Sequence, residues 1–144
     1  MNDDRKIREY PLSERQPERL KTPSGLPFGE ITLAAVLEGK VKMEDLRVTA
    51  EALEWQAQIA ERAGRPQLAE NFRRAAELVA VRDDQILRIY DALRPGRASE
   101  SEMLSLAGEL EKEFQASRCA KFIREAAEVY FRTQASRPSA SDGR

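Results

Sequence analysis

The sequence predicts an all-α protein: a small helical bundle of about five helices over residues 31–135, preceded by an extended Pro-rich N-terminal arm (1–30) and followed by a flexible tail (136–144). Three observations predict it. From residue 31 onward apolar residues recur with the helical period, and no alternating run of strand type exceeds a few residues. Helix start and stop signals flank each periodic stretch. Four of the seven prolines, with Gly25 and Gly29, fall in the first thirty residues, where they block helix continuation.

The arm carries Pro11, Pro17, Pro23 and Pro27, and its six acidic and six basic residues cancel. Apolar residues still recur in it, at Ile7, Tyr10, Leu12, Leu20, Leu26 and Phe28. A solvated linker has no need of them, so the arm is read as lying on a surface. Composition does not decide whose surface, and the arm is assigned as partner-contacting. Thr32 is placed to N-cap a short helix through Leu37 that Gly39 stops, and Lys42–Leu46 adds one turn. Thr49 opens a longer helix with Glu51 in its first turn and Leu53, Ala57, Ala60 and Ala63 on one face; Gly64 follows at C′. Pro66 starts the next helix, with Leu68, Phe72, Ala75, Ala76 and Val79 as its inward stripe.

Asp83 or Asp84 caps a helix carrying Ile86, Ile89, Tyr90 and Leu93, which Pro95 stops. Ser99-x-x-Glu102 is a capping box ahead of Met103, Leu106, Ala107, Leu110 and Phe114. The last helix, from about Ser117 to Gln134, is expected to bury Cys119, Phe122, Ile123, Ala126, Ala127 and Tyr130.

The core so described is thin. Apolar residues make 41% of the 144, but twenty of them are alanine, and Leu, Ile, Val and Phe together number 31. An alanine buries far less area than the side chains that contribute ~1.5–3 kcal/mol each. Such a chain gains much from docking on something larger. Charge points the same way: 24 basic against 25 acidic side chains leave a net charge of −1, without the basic footprint of a nucleic-acid or anionic-membrane binder. The longest apolar run is Leu33–Leu37, far short of the ~20 residues that span a bilayer. The charged start has no apolar stretch behind it, and the single Cys119 has no partner for an internal disulfide. The expected location is cytoplasmic.

Several chemistries are excluded. Without histidine there is no Ser-His-Asp triad, no Cys-His pair and no Cys/His zinc site, and no glycine-rich phosphate loop occurs. No catalytic, cofactor-binding or metal-ligating residue is therefore assigned to this chain. Asp83-Asp84 is read as a helix cap rather than a Mg²⁺ site, and Cys119 as a core thiol. Arg73-Arg74, near Arg65, is suited to an interface carboxylate, although Glu70 and Glu77 offer pairing on the same helix. Residues 65–80 carry only +1 net charge (Arg65, Arg73 and Arg74 against Glu70 and Glu77), which is weak for a DNA recognition helix. Trp55 falls off the stripe of its own helix and divides between partner contact and a wider core. Truncating it is expected to weaken assembly more than the lone fold. Tyr90 and Tyr130 are read as core. The interface candidates are Tyr10, Leu12, Leu20, Phe28, Trp55, Arg73 and Arg74.

The order of segments adds a resemblance. Tyr10-Pro11-Leu12, Pro17-Glu18, Lys21-Thr22-Pro23, Ile31-Thr32-Leu33 and Val36-Leu37 lead to Glu54-Trp55-Gln56-Ala57-Gln58-Ile59-Ala60-Glu61. Asn71-Phe72-Arg73-Arg74-Ala75-Ala76-Glu77-Leu78, Asp83-Asp84-Gln85-Ile86-Leu87, Ile89–Pro95 and Phe122-Ile123-Arg124-Glu125-Ala126-Ala127 follow. In this the chain, from about Tyr10 to Tyr130, resembles the small (gamma) subunit of adenosylcobalamin-dependent glycerol and propanediol dehydratases. The resemblance implies a non-catalytic subunit of a dimer of large–medium–small heterotrimers. That enzyme converts 1,2-diols to aldehydes and water by a radical route, with substrate and its metal ion in the large (alpha) subunit. Adenosylcobalamin would lie between the large and medium (beta) subunits, not on this chain. Two departures stand out: only nine residues precede Tyr10, which gives no sign of encapsulation, and Arg82 stands where that family typically has proline. The short start and Lys21-Thr22-Pro23-Ser24-Gly25 lean toward the glycerol type. A helical adaptor unrelated to cobalamin is the alternative that residue types alone leave open.

Overall fold

A computed structural model describes residues 10–135; the expected tail over 136–144 and the arm's Ile7 lie outside the described residues. The described chain is all-α, with helices α1 (Leu12–Arg15), α2 (Leu33–Leu37), α3 (Ala50–Arg62), α4 (Pro66–Leu78), α5 (Asp83–Ala92), α6 (Glu100–Phe114) and α7 (Ser117–Ala135). Three 3₁₀ turns, Pro17–Arg19, Phe28–Glu30 and Met43–Leu46, punctuate the first third. No strand forms among the described residues, and an isolated bridge pairs Lys21 with Pro27. No helix among them is long and apolar enough to cross a membrane. The chain divides into two compact units, one through Val79 and one from Ala80.

In the first unit, the start signals read from sequence act as expected. The Thr32 hydroxyl accepts the Ala35 N–H and the Thr49 hydroxyl accepts the Ala52 N–H, each at 3.2 Å. Gly64 holds φ +72, the left-handed backbone that ends α3, and Pro66 sits in the first turn of α4. Between α3 and α4 lie Ala57, Ala60 and Ala69, all buried, with Phe72 packed against them. The inward stripe of α4 is thereby corrected. Ala69 is the innermost residue, whereas Leu68 and Val79 are exposed, because helices meeting through alanines leave no depth for larger side chains on that line.

The arm is not extended throughout. A single helical turn forms after Pro11, and a 3₁₀ turn starts on Pro17. Proline forbids continuing a helix but suits its first residues, so spaced prolines permit isolated turns. Leu12 is 4% exposed, part of the core rather than surface.

In the second unit, α6 and α7 form the main hairpin. Met103, Leu106, Ala107 and Leu110 of α6 are buried, as are Cys119, Ala120, Ile123 and Ala127 of α7. The Ser99 cap is complete: its hydroxyl accepts the Glu102 N–H at 3.3 Å, and the Glu102 carboxylate accepts the Ser99 N–H at 2.7 Å. Those bonds hold the Glu102 carboxyl below its ordinary range, the Ser99 backbone bond contributing most. Gln115, at φ 56, ends α6 without glycine. At α5 the expectation is corrected: Arg82 occupies the cap position and Asp83 and Asp84 lie in the first turn. Tyr90, read as core, is 67% exposed, and Phe122 also faces outward. Both lie at the edges of stripes wider than one neighbouring helix covers.

Candidate interaction surface

The first unit contains a small polar clasp that positions a large apolar surface. Thr22-Pro23-Ser24-Gly25 forms a turn closed by the Gly25 N–H on the Thr22 carbonyl at 2.9 Å, with proline at its second position and Gly25 at φ +89. Two further bonds tighten the loop. The Thr22 N–H donates to the Leu26 carbonyl at 2.9 Å, and the Leu26 N–H donates to the Thr22 hydroxyl at 3.1 Å. Asp45, from the turn Met43–Leu46, is buried beneath it. Its carboxylate accepts the Ser24 hydroxyl and, at 2.9 Å, the Lys42 N–H. These donors, the Ser24 hydroxyl first, hold the Asp45 carboxyl below the ordinary aspartate range.

The chain held by this clasp turns its apolar side chains outward. Leu37 is 79% exposed and Met43 76%, and Phe28, Leu33, Leu46 and Val48 are exposed with them. Where the loop meets the start of α3, a groove of about 290 Å³ opens, lined by Leu20, Phe28, Ile31, Leu46 and Val48 with Lys21, Arg47 and the engaged Asp45. Monomeric proteins seldom leave so dense a run of large apolar side chains in water; such surface marks an interaction site. The second unit carries a smaller set, with Leu87 and Tyr90 on α5 the most exposed.

The seven candidates from sequence separate under this geometry. Tyr10 and Phe28 are exposed, and Leu20 lines the groove. Leu12 and Trp55 do not present surface. Trp55 is 5% exposed, and the Arg19 guanidinium lies 5.0 Å from its ring centroid, so arm and α3 are joined through it. Arg73 is half-buried and bonds across to α3, to Glu61 at 2.7 Å and Glu54 at 3.4 Å. The Glu61 bond foremost keeps its guanidinium protonated beyond the ordinary arginine range. Arg74 bonds Asn71 on the same helix. Sequence reasoning missed the Thr22–Ser24–Asp45 clasp and the outward face of residues 28–48. The proline–glycine turn signature and the apolar run Leu33–Leu37 were the signals for them.

The Asp84 carboxylate pairs with Arg82 at 3.1 Å, and that bond draws its pKa down, as suits an exposed ion pair. Arg82 sits at φ −67, the angle a proline would impose, so the departure at this position leaves the turn intact. Among the described residues no three His, Cys, Asp or Glu side chains group as metal ligands. Cys119 is buried.

Comparison with known proteins completes the description. The dehydratase small subunit family matches residues 5–137. The chain is 50% identical over 125 residues to a protein named propanediol dehydratase small subunit in Citrobacter freundii, covering 87% of this chain and 73% of that one. A protein of the same name in Salmonella typhimurium is also 50% identical over 125 residues, covering 87% of this chain and 72% of the relative.

Proposed function

The chain belongs to the dehydratase small subunit family and is thus one part of a dehydratase enzyme complex, and from that premise we propose that it is the non-catalytic small subunit of an adenosylcobalamin-dependent diol dehydratase. The complex takes 1,2-diols to aldehydes and water, with a propanediol, the compound in the names of both relatives, as the first candidate. Glycerol, toward which the 21–25 segment leans, is the competing substrate of the same class. The large and medium subunits are its partners, in a dimer of heterotrimers, and the cytoplasm is its location.

The observation that supports this reading is the outward apolar face of residues 28–48 in a chain of the dehydratase small subunit family, since a subunit that works by docking needs such a face. Adenosylcobalamin does not fit the groove beside this face. The groove is at the lower edge of the ~300–1,000 Å³ that holds a drug-sized ligand, a corrinoid is larger, and the groove's one carboxylate is already consumed by Ser24 and Lys42. The chemistry is therefore assigned to the other subunits, and this chain supports their arrangement.

The test is reconstitution. Large and medium subunits, supplied with adenosylcobalamin and 1,2-propanediol or glycerol, are assayed for aldehyde with and without this chain. Activity should rise when the chain is added, and the chain by itself should be inert. Equal activity in its absence contradicts the reading.

A further inference from the structure

We propose that the loop of residues 20–28 is a movable wall of the groove, which swings away from the rest of the first unit as one piece when its two holds on that unit release together. The inference does not rest on the functional reading above. The loop is closed on itself: the Phe28 N–H donates to the Leu20 carbonyl at 3.0 Å, the Thr22 N–H donates to the Leu26 carbonyl at 2.9 Å, and Lys21 is bridged to Pro27. What ties it to the rest of the unit sits at its two ends. At the tip the Ser24 hydroxyl, 3.0 Å from that of Thr22, donates to the Asp45 carboxylate. At the base Arg19, next to Leu20, lies over Trp55 of α3, 5.0 Å from the ring centroid. A loop braced within itself and pinned at both ends moves as a unit, so slackening one end is felt at the other.

Both holds set an exposed residue on a buried one. Ser24 and Arg19 are exposed, whereas Asp45 and Trp55 are each 5% exposed. Water hydrates the hydroxyl and the guanidinium on release, so each hold is worth little net and breaks without unfolding what lies beneath. Asp45 keeps the Lys42 N–H, which belongs to its own turn. The helices below are braced separately, because Ala57 and Ala60 of α3 close on Ala69 of α4. Trp55 points away from that line, at ~140–200° from Ala60 and Ala57 around the helix. It shares a face instead with Ala52, which lines the groove with Leu46 and Val48, while Leu20, Thr22 and Phe28 line it from the loop. The width of the groove therefore follows the position of the loop, and opening takes the Arg19 guanidinium off the Trp55 ring.

The chain's single tryptophan makes the base of the loop directly readable. On the full chain, acrylamide quenching of Trp55 is followed together with hydrogen exchange at the Thr22, Leu26 and Phe28 amides and, for α3 and α4, at Ala57, Ala60 and Ala69. In the wild type the three loop amides should share one protection factor, about tenfold or more below that of the helices. Ser24→Ala and Arg19→Gln, at opposite ends, should each lower the protection of all three loop amides about threefold or more and raise the quenching of Trp55, with the helix amides unchanged. Ser24→Ala is the sharper of the two, since it acts at the tip and is read at the base. Loop protection equal to that of the helices overturns the inference, because loop and helices then open only together. Ser24→Ala that leaves Phe28 and Trp55 as in the wild type, whatever it does at Leu26, overturns it as well, because the two holds then act separately. Loss of protection at Ala57, Ala60 and Ala69 in either variant contradicts it too, by making the loop part of the helices' own fold.

Discussion

Residues 28–48 and the α6/α7 hairpin both carry large apolar side chains, yet they dispose of them in opposite ways. In the hairpin, Met103, Leu106 and Leu110 close against α7, and the outward positions are mostly charged, with Arg124 paired to Glu111 at 2.5 Å. In 28–48, Val41 and Asp45 are the buried positions, while Leu33, Leu37 and Met43 face solvent. The difference lies in what each stretch has to pack on. Fifteen-residue α6 and nineteen-residue α7 run long enough to cover one another, whereas five-residue α2 and a 3₁₀ turn have no helix of comparable length to close on. An apolar sequence satisfied within its own chain is core; one left open is surface available to a partner.

Substitutions test that contrast from its strongest side. Trp55→Ala removes the buried ring that joins the arm to α3, and the lone chain should lose ~3–5 kcal/mol in denaturant unfolding. This reverses the sequence-based expectation that assembly would suffer more than the fold; intact stability with lost assembly would restore it. Leu110→Ala, in the hairpin core, should cost ~2–5 kcal/mol by the same measurement. Ser99→Ala, which removes the α6 cap, should cost ~1 kcal/mol.

A pH series sharpens the account of the clasp. The Asp45 carboxyl is depressed in the folded chain, so its contribution is complete above the ~3.9 of an ordinary aspartate and is lost as pH falls through the lower folded value. The stability gap between wild type and Asp45→Ala should be widest near neutrality and close below about pH 4. A gap that stays constant down to low pH would remove the carboxylate from the clasp. Smallest of all, Leu37→Glu should change the lone chain's stability by no more than ~0.5 kcal/mol, because the site is already in water. A loss comparable to that of Leu110→Ala would make 28–48 core.

The long helices were legible because their caps and periods agree. Ser99 with Glu102, Thr49, Gly64 and Pro66 each act locally, within four residues, where sequence is read directly. The α6 stripe followed the same logic. Burial on α4 and α5 was less legible, since Leu68, Val79 and Tyr90 lie on amphipathic faces whose covering partner the helical period does not specify. The clasp escaped for a related reason. Ser24 and Asp45 are 21 positions apart, and each is an ordinary turn residue until the fold brings them together. Trp55 was ambiguous because the arm that reaches it through Arg19 read as extended and partner-bound.

Amide hydrogen exchange on the chain alone and within the reconstituted dehydratase tests most directly whether the open apolar stretch is the docking surface. Residues 28–48 should exchange quickly in the lone chain and gain protection on assembly, while Met103–Leu110 should be protected in both. Assembly that leaves 28–48 as fast as before, with new protection confined to the second unit, would contradict the account.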